Sequence, residues 1–187
     1  GSVDETFISL DEEGTPMSRP NNMGPQIDPR ETSKVIEFND IGALETVLSS
    51  GEVAAVLAEP VMTNIGIIHP NPGYHDALRE LTRKYGTYLI IDETHTICAG
   101  PGGYSASHDL QPDFLTLGKP LAGGVPAAIY GFTEEVSQAF NAKLSLEDSD
   151  VGGIGGTLSG NALSIAAMKA TLQHVLTEEF YAKATAL

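Results

Sequence analysis

A chain of 187 residues with 41% apolar content is long enough to bury a core, which excludes wholesale disorder. Ten Lys and Arg stand against 25 Asp and Glu, a formal charge of −15, and that balance excludes a nucleic-acid partner, which needs clustered cations. Cys98 is the single cysteine, so no intrachain disulfide is possible, and no apolar run reaches the ~20 residues of a bilayer span; a cytoplasmic protein is expected.

Residues 1–38 carry five prolines or glycines at close spacing after Gly14 and read as an irregular N-terminal segment with turns and a short extended piece. From residue 39 onward the pattern becomes that of an α/β domain. Asn39 or Asp40 caps a helix with Ile41, Leu44, Val47 and Leu48 on one stripe, and Gly51 stops it. The continuous apolar run 53–58 predicts a strand buried on both faces. A second helix spans 72–85, with Tyr74, Ala77, Leu78 and Leu81 on its stripe and Gly86 after it. Strands follow at 88–91, 114–117 and 127–130, and a polar, Gly-rich stretch at 145–156 precedes a helix at about 160–176. Strands alternating with helices predict a central, mostly parallel sheet flanked by helices.

In such sheets the ligand site lies beyond the carboxyl ends of the strands. Glu59, Asp92 and Lys119 follow three of the predicted strands, so one sheet edge gathers two carboxylates and an amine. Asp92 and Glu93 could equally cap the next element, and Lys119 alone could be a solvated surface residue. The flanks of Lys119 fit a solvated position poorly, with an apolar strand before it and Pro120-Leu121-Ala122-Gly123-Gly124 after it.

Four segments, Ala58-Glu59-Pro60-Val61, Ile90-Ile91-Asp92-Glu93-Thr94, Thr116-Leu117-Gly118-Lys119 and Gly156-Thr157-Leu158-Ser159-Gly160-Asn161, carry a resemblance. Together, and in this order, they resemble the class III aminotransferases of pyridoxal 5'-phosphate (PLP) fold type I, and within that family its aminomutase branch. The resemblance runs from about residue 39 to the C-terminus. It implies part of a large PLP-binding domain, an enzyme that transfers or migrates an amino group, and PLP as cofactor.

The resemblance also implies residue roles. Lys119 matches the Schiff-base lysine, which joins the cofactor aldehyde and later shuttles a proton. Asp92 matches the aspartate that keeps the pyridine nitrogen protonated through charge and hydrogen bonding. Thr94 corresponds to a residue beside the cofactor ring, usually valine, with a hydroxyl in place of a methyl. Thr157 matches a threonine that binds the cofactor phosphate across a subunit interface, which implies a homodimer with shared sites; it could also cap the following helix. Glu59 matches a Glu-Pro strand end that supports the pocket.

Asn64 stands where many class III aminotransferases have a glutamate that admits two amino donors, and asparagine there fits the aminomutase pattern. His95 departs from the usual Met-Thr-Gly-Phe-like continuation; it is close enough to Thr94 to line the substrate side, and it could equally be a loop histidine hydrogen-bonded locally. His69, His75, His108 and His174 show no metal-ligand spacing, and no metal is expected. Gly100-Pro101-Gly102-Gly103 lacks the Lys-Ser/Thr ending of a phosphate loop. Members of the family are longer, so the chain reads as an internal piece of a larger enzyme, inactive by itself if the missing parts are essential. Another fold type I enzyme, a decarboxylase or racemase, shares the same lysine and aspartate and stays open on these residues.

Overall fold

The computed structural model describes residues 8–18, 28–143 and 158–186. Near the N-terminus, β1 (Ile8–Leu10) and β2 (Pro16–Ser18) form an antiparallel hairpin, followed by the single helical turn α1 (Pro29–Thr32). Asp28 caps α1 and grips Arg30 through a bidentate ion pair, which holds the exposed Asp28 carboxyl at about 2.

The helix α2 (Ile41–Leu48) begins where Asp40 accepts the Ala43 N–H at 2.8 Å. Leu44 and Leu48 point inward from it, as their spacing of four requires. Next come β3 (Ala55–Ala58), α3 (Tyr74–Lys84) and β4 (Tyr88–Asp92), a unit in which the two strands pair in parallel, with Gly73 in a left-handed conformation (φ 81°) before α3. The chain then makes a 3-10 turn (Thr96–Ala99), the short helix α4 (Gly103–Ser107) and β5 (Phe114–Leu117). A second 3-10 turn (Lys119–Ala122) leads to β6 (Ile129–Phe132) and α5 (Glu134–Lys143). After the undescribed 144–157, α6 (Ala162–His174) and α7 (Glu178–Thr185) complete the described chain.

The sheet order is β3-β4-β5-β6, with β3, β4 and β5 parallel and β6 antiparallel to β5. The fold is therefore the expected mostly parallel α/β arrangement. One strand differs: β6 starts at Ile129 rather than at residue 127 and runs backward, because only a short connection separates it from β5.

The core lies on one side of this sheet. Leu44 and Leu48 of α2 and Tyr74, Leu78 and Leu81 of α3 pack on Leu89 and Ile91 of β4. Val56 and Ala58 of β3 and Leu115 of β5 complete that face, as period-two alternation demands. The opposite face is open among the described residues. Leu57 is 60% exposed, and Tyr88, Phe114, Phe132 and Tyr130 form a ring-to-ring stripe across it. The expectation that β3 is buried on both faces is thus corrected: Ala55 and Leu57 have no layer over them. A short apolar run specifies a strand, while its burial depends on what covers it.

Asp113, just before β5, ties the sheet to α3. Its Oδ2 accepts from Arg79 Nη1 at 3.0 Å and from the Leu89 N–H at 2.7 Å. A cavity of about 330 Å³ lies beside this pair, lined by His75, Arg79, Asp109 and Gln111 among others. Among the described residues no helix is long and apolar enough to cross a membrane.

The one-sided core makes a contrast testable by urea unfolding of the chain. Leu78→Ala, at a site 1% exposed, lowers stability by about 2–5 kcal/mol. Leu57→Ala, on the open face, changes it by less than about 0.5 kcal/mol.

Candidate active site

Parallel pairing brings the carboxyl ends of β3, β4 and β5 to one edge. Ala58 pairs with Ile91 and Asp92 pairs with Thr116, so Glu59, Asp92 and the segment leading to Lys119 leave the sheet side by side. Alternation puts Asp92 on the open face with Tyr88 and Ile90, opposite the helices. Asp92 is half-buried, and its Oδ1 accepts the Thr94 N–H at 2.8 Å, a local turn that orients the carboxylate. Among the described residues no donor is bonded to its Oδ2.

Lys119 opens the second 3-10 turn with φ 43°, in the left-handed region that few residues other than glycine adopt. Such a conformation costs on the order of 1–3 kcal/mol and persists only where the surroundings impose it. Here Leu121 and Ala122, 2% and 3% exposed, anchor the turn, and α6 packs against it. Ser164 of α6 donates to the Pro126 carbonyl at 3.1 Å. The strained turn presents the Lys119 amine at the surface, where Nζ lies 2.8 Å from Nε2 of His95.

Thr94 sits against the chain just before Lys119. A Cβ placed on Gly118 would lie 3.6 Å from both Cγ2 and Oγ1 of Thr94, so the two strand-end segments are in direct contact. The structure therefore brings together Asp92, Thr94, His95 and Lys119. Glu59 flanks them at the end of β3, where its Oε2 accepts from the Thr63 hydroxyl at 2.6 Å. Asn64 is exposed in the loop closed by the Met62–Ile68 bridge. Thr157 lies outside the described residues, as does the stretch 145–156.

Glu93 is the residue that sequence reasoning undervalued. It is 0% exposed, and its carboxylate accepts from the Thr96 hydroxyl and from the N–H groups of Tyr104 and Ser105, at 2.5–3.1 Å. It does cap a helix, but α4 rather than the turn that follows it. Gly103 (φ 75°) makes room: a Cβ there would come within 2.8 Å of Glu93 Oε2. A glycine pair before a helix is the one signal that hints at such a close approach. Tyr104 then stacks on His108 at 3.7 Å and meets His75 edge-on, and His75 Nε2 donates to the Pro60 carbonyl at 2.9 Å, linking α4 back to the end of β3. The cavity beside Arg79 is lined by none of the strand-end residues gathered around Lys119. Among the described residues no group of three His, Cys, Asp or Glu is placed to hold a metal.

A sheet edge with a lysine on a strained turn beside an aspartate at the neighbouring strand end is the arrangement that the sequence motifs foreshadow. A model of the Aminotransferase class-III family matches residues 16–187, and the chain belongs to that family. Among curated relatives, glutamate-1-semialdehyde 2,1-aminomutase of Neisseria meningitidis serogroup B (strain MC58) is 36% identical over 172 residues, covering 89% of this chain and 38% of the relative. A crystal structure of a glutamate-1-semialdehyde-aminomutase from Pseudomonas aeruginosa PAO1 superposes with a TM-score of 0.87 at 46% identity, covering 96% of this chain and 40% of that one. A Lys→Ala variant of the Pseudomonas enzyme, solved in complex with PMP, has a TM-score of 0.83 at 44% identity, with the same coverage. The chain spans about two fifths of the length of these relatives.

The Glu93 network predicts a loss without a change in surface chemistry. Glu93→Ala strands three buried donors at about 1–3 kcal/mol each, so it destabilises by at least about 3 kcal/mol in urea unfolding. Hydrogen exchange at the Tyr104 and Ser105 amides accelerates in the same variant.

Proposed function

We propose that this chain is the cofactor-binding core of a PLP-dependent enzyme that moves an amino group, with Lys119 as the covalent anchor. The observation that carries the reading is the strand-edge cluster in which Lys119, at φ 43°, meets the Asp92–His95 segment. The donor set suits PLP: an accessible amine, and a half-buried carboxylate with one oxygen unbonded, on adjacent parallel strands. PLP, when bound, draws electrons from the carbon beside the substrate nitrogen and so loosens the proton on that carbon.

The chain's own residues do the rest. Lys119 would hold the cofactor through Nζ, and its amine would carry the proton at the reacting carbon. Asp92, its Oδ1 held by the Thr94 N–H, would hold the proton on the cofactor's ring nitrogen through charge and hydrogen bonding. Thr94 packs beside the ring, and Glu59 supports the pocket wall through Thr63. Thr157 binds the phosphate of a neighbouring subunit, which makes the working unit a homodimer. His95 and Asn64 face the substrate side.

The segment from about residue 39 to 187 forms part of the large domain, and residues 1–38 lead into it. The aminomutase form of the reaction, in which the amino group moves within a single substrate, is supported by the names of the relatives and by Asn64. A cytoplasmic location fits a chain with one cysteine, which is exposed and unpaired.

Visible absorption tests the reading. The full-length protein mixed with PLP gains a band that borohydride removes, and Lys119→Ala abolishes that band and lowers kcat at least ~100-fold. An unchanged band in Lys119→Ala rejects the assignment. Turnover without any added keto acid marks the aminomutase; strict dependence on a second keto substrate marks the aminotransferase.

A further inference from the structure

The geometry points to His95 as a second catalytic residue that exchanges a proton with Nζ of Lys119, an inference that rests on the reading of Lys119 as the cofactor lysine. The two nitrogens lie 2.8 Å apart, from residues 24 positions distant in the chain. Backbone on both sides is committed to that meeting. Lys119 is held in the left-handed region by its buried turn. His95 directly precedes the first 3-10 turn, which is pinned from two sides. Ile97 N–H donates to the Glu93 carbonyl at 2.8 Å, and the buried Tyr181 hydroxyl of α7 donates to the Ile97 carbonyl at 3.0 Å.

The hydrogen bond has a defined sense. A lysine ammonium only donates, so Nε2 of His95 accepts and the imidazole carries its own hydrogen on Nδ1. In a proton-transfer step the Nζ–H bond breaks and an Nε2–H bond forms. The imidazole becomes imidazolium, the freed pair on Nζ would form the bond to the carbonyl carbon, and the carbonyl π pair would move to its oxygen, which would take the proton from Nε2. A second proton from Nζ would pass to that oxygen as it leaves as water, so the single positive charge is conserved. Amines hold protons more tightly than imidazoles, so transfer completes only as the lone pair is committed to carbon. The reverse step returns the proton when Lys119 is released. Among the described residues the His95 side chain makes no other hydrogen bond.

The test uses the full-length protein. In its cofactor-free form, acetic anhydride at fixed pH acetylates lysines, and peptide mass spectrometry compares Lys119 with Lys34 as an internal reference. His95→Ala and His95→Gln each slow labelling of Lys119 at least about tenfold relative to Lys34, and in the loaded enzyme kcat falls about 100-fold with KM nearly constant. Glutamine retains a hydrogen-bond acceptor and cannot take a proton. Wild-type labelling in His95→Ala overturns the proposal. So does a wild-type rate in His95→Gln, which reduces His95 to a positioning contact. A reduced cofactor adduct on a lysine other than Lys119 overturns the cofactor reading, and the catalytic role of the pair with it, whatever the labelling shows.

Discussion

The site depends on one buried carboxylate. Among the described residues Glu93 forms no ion pair, and its carboxylate accepts from two backbone N–H groups at the start of α4 and from the Thr96 hydroxyl. Burying a charge is costly unless such donors converge on it, and oriented N–H groups at a helix start supply both hydrogen bonds and a favourable dipole. This choice has a geometric consequence. With Glu93 turned into the interior, its neighbours Asp92 and Thr94 are bonded to each other at the open edge of the sheet, and His95 is left to reach Lys119. The two C-terminal helices support the same arrangement from behind, α6 under the Lys119 turn and α7 through Tyr181 under the turn after His95.

The sheet is finished on one face only. Its helix side is packed by α2 and α3, whereas the side that carries Asp92 also carries an exposed aromatic stripe. A chain that spans about two fifths of its relatives meets that condition at the very face where the strand-end chemistry sits. Within this chain the same face holds Asp92 and leads to Lys119, on a framework that aligns the two strand ends.

Much of this was legible in the residues, for identifiable reasons. The α2 and α3 stripes and the strands β4 and β5 follow from periodic apolar spacing, which tertiary context reinforces here. The placement of Asp92 and Lys119 at one edge was legible because strand ends in parallel sheets gather there. Other features were hidden because they are long-range. Glu93 looks like its neighbour Asp92 in sequence, and only bonds to residues 11 and 12 positions later separate their roles. The Lys119–His95 contact likewise closes across 24 residues. The helix α4, five residues long, carries too few turns for a strong stripe, and β3 reads as doubly buried because a run of small apolar residues cannot report which face is covered.

The most direct measurement is the position of the trapped cofactor. Full-length protein loaded with PLP, reduced with borohydride and digested should yield one modified peptide, with the added mass on Lys119. Modification of any other lysine, or a stoichiometry that spreads over surface lysines such as Lys84 and Lys183, would contradict the account.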